Sequence, residues 1–576
     1  MLEKTKRNIC FCVLYAVVLV VAFYLMESYE HNPFAEVRVE AQFFNILLFE
    51  LLGWILYFIF GRMCLCARIL LGLAVAFGIT NHYVMKFRST PFVPWDIFSA
   101  QTAASVAGNY DFTPDKRMVV VTLVFVVLFI LMRFFKKGPR FSWKIRLGSA
   151  VLLVLALCVF VNNLQQESFQ TKHYLYPFLF TPAYMTKVNG MAVTFAMDLA
   201  YVAVEKPDGY SAAEAKETLK TYETEQKADT SDLPNIIVIM DEAFSDLSVV
   251  GPLETNEDYM PFLHRMQQGE KNTITGYVQT SVCGGNTADS EFEFLTGNTM
   301  AFLPSGSIPY QQYIKNETPS LASWLQSLGY ATYAQHPYQA SGWNRDKVYP
   351  LLGFSSMDFM DDYTGVSYVR SYISDASDME HVIETYEKNK TSGKPAFIFN
   401  VTMQNHGGYT DRYANLTNDI ISQYASDPLN QYLTLIHKTD QALEDLVSYF
   451  SSVDDHTVIV FFGDHQPNDT VASVVENGTK TDTVKRYLVP YLVWANYDIE
   501  GAQNKNTSLN YLAAQVLTAA GVPTDAYQNY LLELSQTYPV ISAAGQTEGV
   551  GAADEQLLTY KKLQYYQLFE KDKEKQ

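Results

Sequence analysis

Acidic residues and histidines close four short segments of this chain: Asp241-Glu242, Gln335-His336, Gln404-Asn405-His406 and Gly463-Asp464-His465. Glu242, Asp464 and His465 offer two carboxylates and an imidazole, a mixed oxygen and nitrogen donor set suited to manganese, zinc or magnesium. Thr287 lies in Gly284-Gly285-Asn286-Thr287-Ala288-Asp289-Ser290-Glu291-Phe292 and offers an alcohol. A hydroxyl at its ordinary pKa attacks phosphorus poorly unless a cation or base lowers its proton affinity. Thr287 as fourth ligand would complete a single-metal site that generates the nucleophile and steadies charge on a transferring phosphoryl group. A last group runs from His336 to Trp343-Asn344-Arg345-Asp346. Arg345 can grip phosphate oxygens in a bidentate manner, and Trp343 can wall a small polyol.

Each feature has a plainer reading. An Asp-His pair after a strand is commonly a turn with a surface histidine. Thr287 is a good N-cap for a helix running through Phe294, beside free backbone N–H groups and the positive helix end that favour an alkoxide or phosphate. Trp343 to Asp346 reads equally as a structured loop. Position weighs against coincidence. The four segments follow apolar runs at Asn235 to Met240, Tyr330 to Ala334, Ala396 to Val401 and Thr457 to Phe462. Such runs suit strands buried on both faces of a parallel sheet. Helical stretches at Ser320 to Ser327 and Leu429 to Phe450 lie between them, predicting an α/β domain with a mostly parallel sheet. Ligands of open α/β sheets bind at the C-terminal strand ends, which delivers Glu242, His336, His406, Asp464 and His465 to one cleft.

The N-terminal part is of another kind. Five apolar stretches, about Ile9 to Met26, Phe43 to Phe60, Met63 to Val84, Met118 to Phe135 and Leu147 to Leu164, each match a ~30 Å hydrocarbon layer. The spacing of features predicts four regions: a five-helix transmembrane domain over 1–170, a juxtamembrane helical connector over 171–232, a catalytic domain over 233–550 and a tail over 551–576. The connector holds a charged helical stretch at Ala212 to Lys227 and a polar break at Asp229 to Pro234. Met191 to Val204 tempts a sixth crossing but is short and contains Asp198, as interfacial or core helices do. Glu50, Asn81 and His82 sit inside apolar stretches, for a headgroup path or a helix partner. Arg88 to Asp96 holds two prolines and Trp95, and reads as a loop lying near the outer leaflet.

Charge orients these parts. The chain carries a net −19, whereas residues 1–170 carry 16 Lys and Arg against 10 Asp and Glu, leaving −25 for the remainder. With a cytoplasmic N-terminus the inner segments hold 11 of those 16 cations, so the positive-inside rule places everything after the fifth helix outside the cell. The acidic balance argues against a nucleic-acid partner. Five of six cysteines lie in or beside apolar stretches, and Cys283 stands alone in the acidic part, which excludes a disulfide framework or a thiolate zinc site there.

Together, Met240-Asp-Glu-Ala-Phe-Ser245, Gly285 to Phe292, His336 to Arg345, Asn405-His406 and Gly463-Asp-His465 resemble the lipoteichoic acid synthase and phosphoglycerol transferase family, sulfatase-like members of the alkaline phosphatase superfamily. The resemblance spans nearly the whole chain. It implies a multi-pass bacterial membrane protein whose extracellular domain binds one divalent metal, manganese first, through Glu242, Thr287, Asp464 and His465. Thr287 would carry a covalent glycerophosphate, while His336, Trp343, Arg345 and His406 would line its pocket, with His406 protonating the leaving group. The implied donor is phosphatidylglycerol, and the implied acceptor a glycolipid or glycerophosphate polymer. A phosphoethanolamine transferase or a hydrolase of the same fold is the rival, and a non-catalytic lipid- or polymer-binding relative a further one. The Cys-x-Pro-x-Arg motif of sulfate ester hydrolases is absent, and so is a second ligand set for a two-metal phosphatase.

Overall fold

The protein is described by a computed structural model covering residues 2–88, 91–99, 112–176, 182–199, 204–223, 232–304, 307–476, 483–546 and 554–570. The polar break at 229–231, the end of the Met191 to Val204 stretch and the 571–576 run lie outside the described residues. Two compact units emerge, one of Met1–Ile97 with Asp111–Val204, the other chiefly Glu205–Gln576.

The first unit is helical. Five helices, Thr5–Glu27, Val39–Phe60, Met63–Phe87, Lys116–Phe135 and Trp143–Leu164, are long and apolar enough to cross a membrane. Val120, Leu123, Val127, Leu152, Leu155 and Val159 stand exposed on them, so an apolar solvent must cover those faces. Three polar residues that sit inside apolar stretches have polar neighbours. Trp54 Nε1 donates to Glu50 Oε2 at 2.8 Å, Phe92 N donates to Asn81 Oδ1 at 2.9 Å, and His82 Nδ1 lies 3.2 Å from Glu30 Oε2. Met191–Asp198 is a separate helix of 8 residues behind Gly190 (φ +81°), about 12 Å long and too short to span. Where the sequence predicts a surface-lying loop, Trp95 packs inside the protein. It is buried at 1% exposure within a short 3₁₀ helix, Pro94–Ser99.

The second unit contains an eight-stranded sheet. In chain order the strands are β1 Asn235–Asp241, β2 Thr273–Gln279, β3 Ala331–His336, β4 Ser356–Phe359, a two-residue hairpin of β5 Tyr368–Val369 and β6 Tyr372–Ile373, β7 Ala396–Val401, β8 Thr457–Gly463, β9 Leu488–Ala495 and β10 Thr507–Ser508. The sheet order is β10-β2-β9-β8-β1-β7-β3-β4, parallel except where β9 runs against β8 and β2. Helices cover both faces. The Asp427–Ser451 helix packs Leu433, Ile436 and Leu443 into the core formed with Ile237, Ile398 and Ile459. Burying each such side chain contributes about 1.5–3 kcal/mol, which is why the central strands carry almost no polar residue before their ends. The four strands that close on metal-type residues, β8, β1, β7 and β3, are consecutive neighbours, so their C-terminal ends form one continuous edge.

Candidate active site

At that edge one ligand atom each from Glu242, Asp464 and His465 lies within 4.8 Å of the others, all three residues buried. The turns that deliver them are tightly built. Ala243 adopts a left-handed φ of +53°, and its N–H donates to Asp464 Oδ1 at 2.7 Å, as does that of His465. Gly463 has no alternative, because a Cβ there would meet Phe244 O at 1.9 Å. His465 Nδ1 donates to Gln466 O at 2.9 Å, and its Nε2 lies 3.3 Å from Asp464 Oδ2 and 3.8 Å from Glu242 Oε1. Asp464 Oδ2 and His465 Nε2 are buried without a hydrogen-bond partner. Two carboxyls and an imidazole nitrogen converging in a buried space fit a divalent cation, and the set suits manganese, zinc or magnesium.

Thr287 is brought to this cluster, its Oγ1 donating to Glu242 Oε2 at 3.2 Å. It is the first helical residue and not the cap. Asn286, at φ +67°, holds the cap position of the Thr287–Thr296 helix, which frees the threonine hydroxyl to turn toward the carboxylates. Gly284 N donates to Gln466 O at 2.9 Å and Ser290 Oγ to Asp464 O at 2.6 Å, so the loop and helix that carry Thr287 are tied to the Asp464-His465 turn at two points.

Behind Glu242, Asp464 and His465 lies a layer to which the amino-acid pattern assigned no role. Asp241 is fully buried, accepting from Thr402 Oγ1 at 3.0 Å and Asn405 Nδ2 at 2.8 Å, and its main-chain carbonyl receives Asp464 N at 3.0 Å. Burial first, then the Asp375 charge, pushes its carboxyl well above the usual range; burial and then Asp464 do the same to Glu242. Burial and mutual repulsion thus disfavour the charged forms of these carboxyls, a cost that a cation beside them would offset.

The predicted pocket residues arrive with unforeseen partners. Arg345 is buried with its Nε and Nη2 2.9 and 2.6 Å from Glu291 Oε1, and Tyr349 donates to Glu291 Oε2 at 2.7 Å. Its Nη1 lies 3.0 Å from His336 Nε2, while His336 Nδ1 donates to Val401 O at 2.8 Å. His336 is therefore a neutral imidazole, its pKa held well below the ordinary value by burial and by Arg345. Trp343 and Asn344, half-buried at φ +54° and +60°, form the bend before the Arg345–Leu351 helix. His406 is half-buried with Nδ1 3.1 Å from Tyr372 Oη. Burial, then Arg370 and His465, lower its pKa to about 3. Glu291 stands within the Thr287 segment, four residues along the same helix, and a buried acid there is a signal for a basic partner. Arg370 and Tyr372 carried no such signal.

The chain belongs to the sulfatase family, whose model matches residues 234–522. It is 29% identical over 505 residues to a putative cyclic beta-1,2-glucan modification protein of Rhizobium meliloti, covering 84% of this chain and 77% of that one. Among solved structures, the phosphoglycerol transferase GacH of Streptococcus pyogenes, in complex with sn-glycerol-1-phosphate, aligns with a TM-score of 0.53 at 21% identity, over 63% of this chain and 95% of that one. The integral membrane lipooligosaccharide phosphoethanolamine transferase A of Neisseria meningitidis aligns with a TM-score of 0.52 at 15% identity, over 89% of this chain and 95% of that one. The expected resemblance therefore holds at the level of fold: apolar helices followed by a sulfatase-like α/β domain.

Proposed function

We propose that the protein is a membrane-anchored phosphotransferase that moves glycerophosphate from phosphatidylglycerol, through a covalent adduct on Thr287, to a cell-envelope glycan or polymer. The observation that carries this reading is the Thr287 hydroxyl 3.2 Å from Glu242, at the mouth of a buried cluster of two carboxylates and an imidazole. Glu242, Asp464, His465 and Thr287 would hold one divalent ion, manganese first, which supplies charge stabilisation and lowers the proton affinity of the alcohol. Glu242 Oε2 already accepts the Thr287 proton in a hydrogen bond, giving that proton a way out as Oγ1 bonds to phosphorus. His406, neutral before substrate binds, takes up a proton once the anionic phosphodiester stands beside it and raises its proton affinity, and delivers that proton to the departing diacylglycerol oxygen as the P–O bond breaks. His336, Trp343 and Arg345 bound the pocket for the glycerol moiety. Likeness to a glucan modification protein favours a glycan as acceptor. The membrane part is multi-pass, with a cytoplasmic N-terminus and the catalytic unit outside.

The test is purified full-length protein with manganese and labelled phosphatidylglycerol. Wild type should release diacylglycerol and gain the mass of glycerophosphate on Thr287. Thr287→Ala should gain none and turn over at least about a thousandfold more slowly. Equal release by both proteins would sink the assignment. The near whole-chain likeness to a phosphoethanolamine transferase supports a second reading, in which the same adduct forms from phosphatidylethanolamine. The adduct mass separates the two donors.

A further inference from the structure

Arg370 is an expensive residue for a two-residue hairpin. It occupies the turn between β5 and β6 at φ +55°, where glycine would be unstrained. It is 5% exposed, and a buried guanidinium costs several kcal/mol unless its surroundings answer it. The direct partners here are main chain and rings, while the carboxyls of Glu242 and Asp375 lie close enough to feel its charge. Its Nη2 donates to Gln404 O at 2.7 Å and to His406 O at 2.6 Å, and the guanidinium lies 5.3 Å from the Tyr372 ring centre and 5.4 Å from that of Tyr409. Nε and Nη1 have no hydrogen-bond partner. Two residues further along, Tyr372 Oη meets His406 Nδ1 at 3.1 Å. Asn415 Nδ2 secures the turn from outside, donating to Tyr368 O and Arg370 O at 3.0 and 3.1 Å.

The geometry points to Arg370 and Tyr372 as a clamp that positions His406, one gripping its main-chain carbonyl and the other its ring nitrogen. A half-buried histidine in the loop after a strand has two side-chain torsions to lose before it can transfer a proton in line with a breaking bond. Fixing peptide and ring together removes that freedom in advance. With Nδ1 on Tyr372, proton transfer runs through Nε2. The clamp rests on the reading of His406 as the acid of the transfer. In that step Oγ1 of Thr287 gives its proton to Glu242 and bonds to phosphorus, the bond from phosphorus to the leaving oxygen breaks, and the His406 proton goes to that oxygen. A leaving group that departs as a stable anion needs no such proton.

The experiment follows from that difference. Full-length protein with manganese is assayed on phosphatidylglycerol and on glycerophospho-p-nitrophenol, whose nitrophenolate leaves unprotonated. Arg370→Met and Tyr372→Phe should each lower kcat on the lipid by about 30-fold with little change in KM, and lower that on the aryl ester by less than about threefold. Added to His406→Ala, either change should cost nothing more. An equal loss on both esters, or losses that multiply with that of His406→Ala, overturns the clamp. Tyr372→Phe keeps the ring beneath the guanidinium and removes one hydroxyl, so it reports even where Arg370→Met does not fold. His406→Ala with wild-type turnover on the lipid would overturn the acid reading itself, and the clamp with it.

Discussion

Glu242 has two duties at this site: it accepts the Thr287 hydroxyl and faces His465 across the space where a cation would lie. Gln at this position keeps shape and loses charge. After dialysis against micromolar manganese, elemental analysis should find about one ion per wild-type chain and less than roughly a tenth of that in Glu242→Gln, since loss of one ligand or its orientation costs about ten- to hundredfold in affinity. Excess manganese should also raise the thermal stability of wild type, by about 2.7 kcal/mol at roughly a hundred times the dissociation constant, and leave the variant unmoved. Equal metal content in both would place the ion elsewhere. Arg345 shows the same logic from the side of the protein. Its Nε and Nη2 rest on Glu291 and its Nη1 on His336, so the protein itself fixes the direction of this guanidinium.

Among the elements, the Asp375–Asn389 helix is joined to the sheet through acid groups out of water. Asp378 is fully buried, its Oδ1 accepting from Tyr363 Oη and from Asn400 Nδ2 on β7, both at 2.7 Å, while Oδ2 has no partner. Burial raises its pKa to about 7, with the two donors and His381 opposing, and Asp375 one turn earlier lies near the same value. The folded state thus keeps a proton that the unfolded chain gives up near about pH 4. Stability from this group is full below that pH and is lost as pH rises through about 7, by roughly 4 kcal/mol at most. Thermal unfolding of wild type and Asp378→Asn should therefore diverge between about pH 4.5 and about pH 7.5 in favour of the variant. Parallel curves would show that Asp378 folds with its charge intact.

For the molecule as a whole, the two units demand different solvents. The helices of the first leave apolar faces exposed that only hydrocarbon can cover, and the second is acidic and α/β. Eleven of the sixteen cations within residues 1–170 fall in segments that share a side when the N-terminus is cytoplasmic. Trypsin added to intact spheroplasts should then digest the catalytic unit and spare the helices. Protection of that unit until the membrane is lysed would reverse the topology.

Local pattern determined much of this. Apolar runs followed by polar ends identified β1, β3, β7 and β8 and the residues at their tips, because a strand buried on both faces must hold its chemistry at its end. Length and hydropathy located the five apolar helices. Strands β2 and β9 escaped notice because Gly276 and Pro490 interrupt them, features tolerated here through pairing at residues more than two hundred positions away. Asp241 beneath the ligands, Glu291 beneath Arg345 and Arg370 against His406 were likewise decided only by tertiary structure. Hydrogen bonds between residues 36 to 164 positions apart leave no periodicity to read, and only the folded sheet determines which loops share an edge.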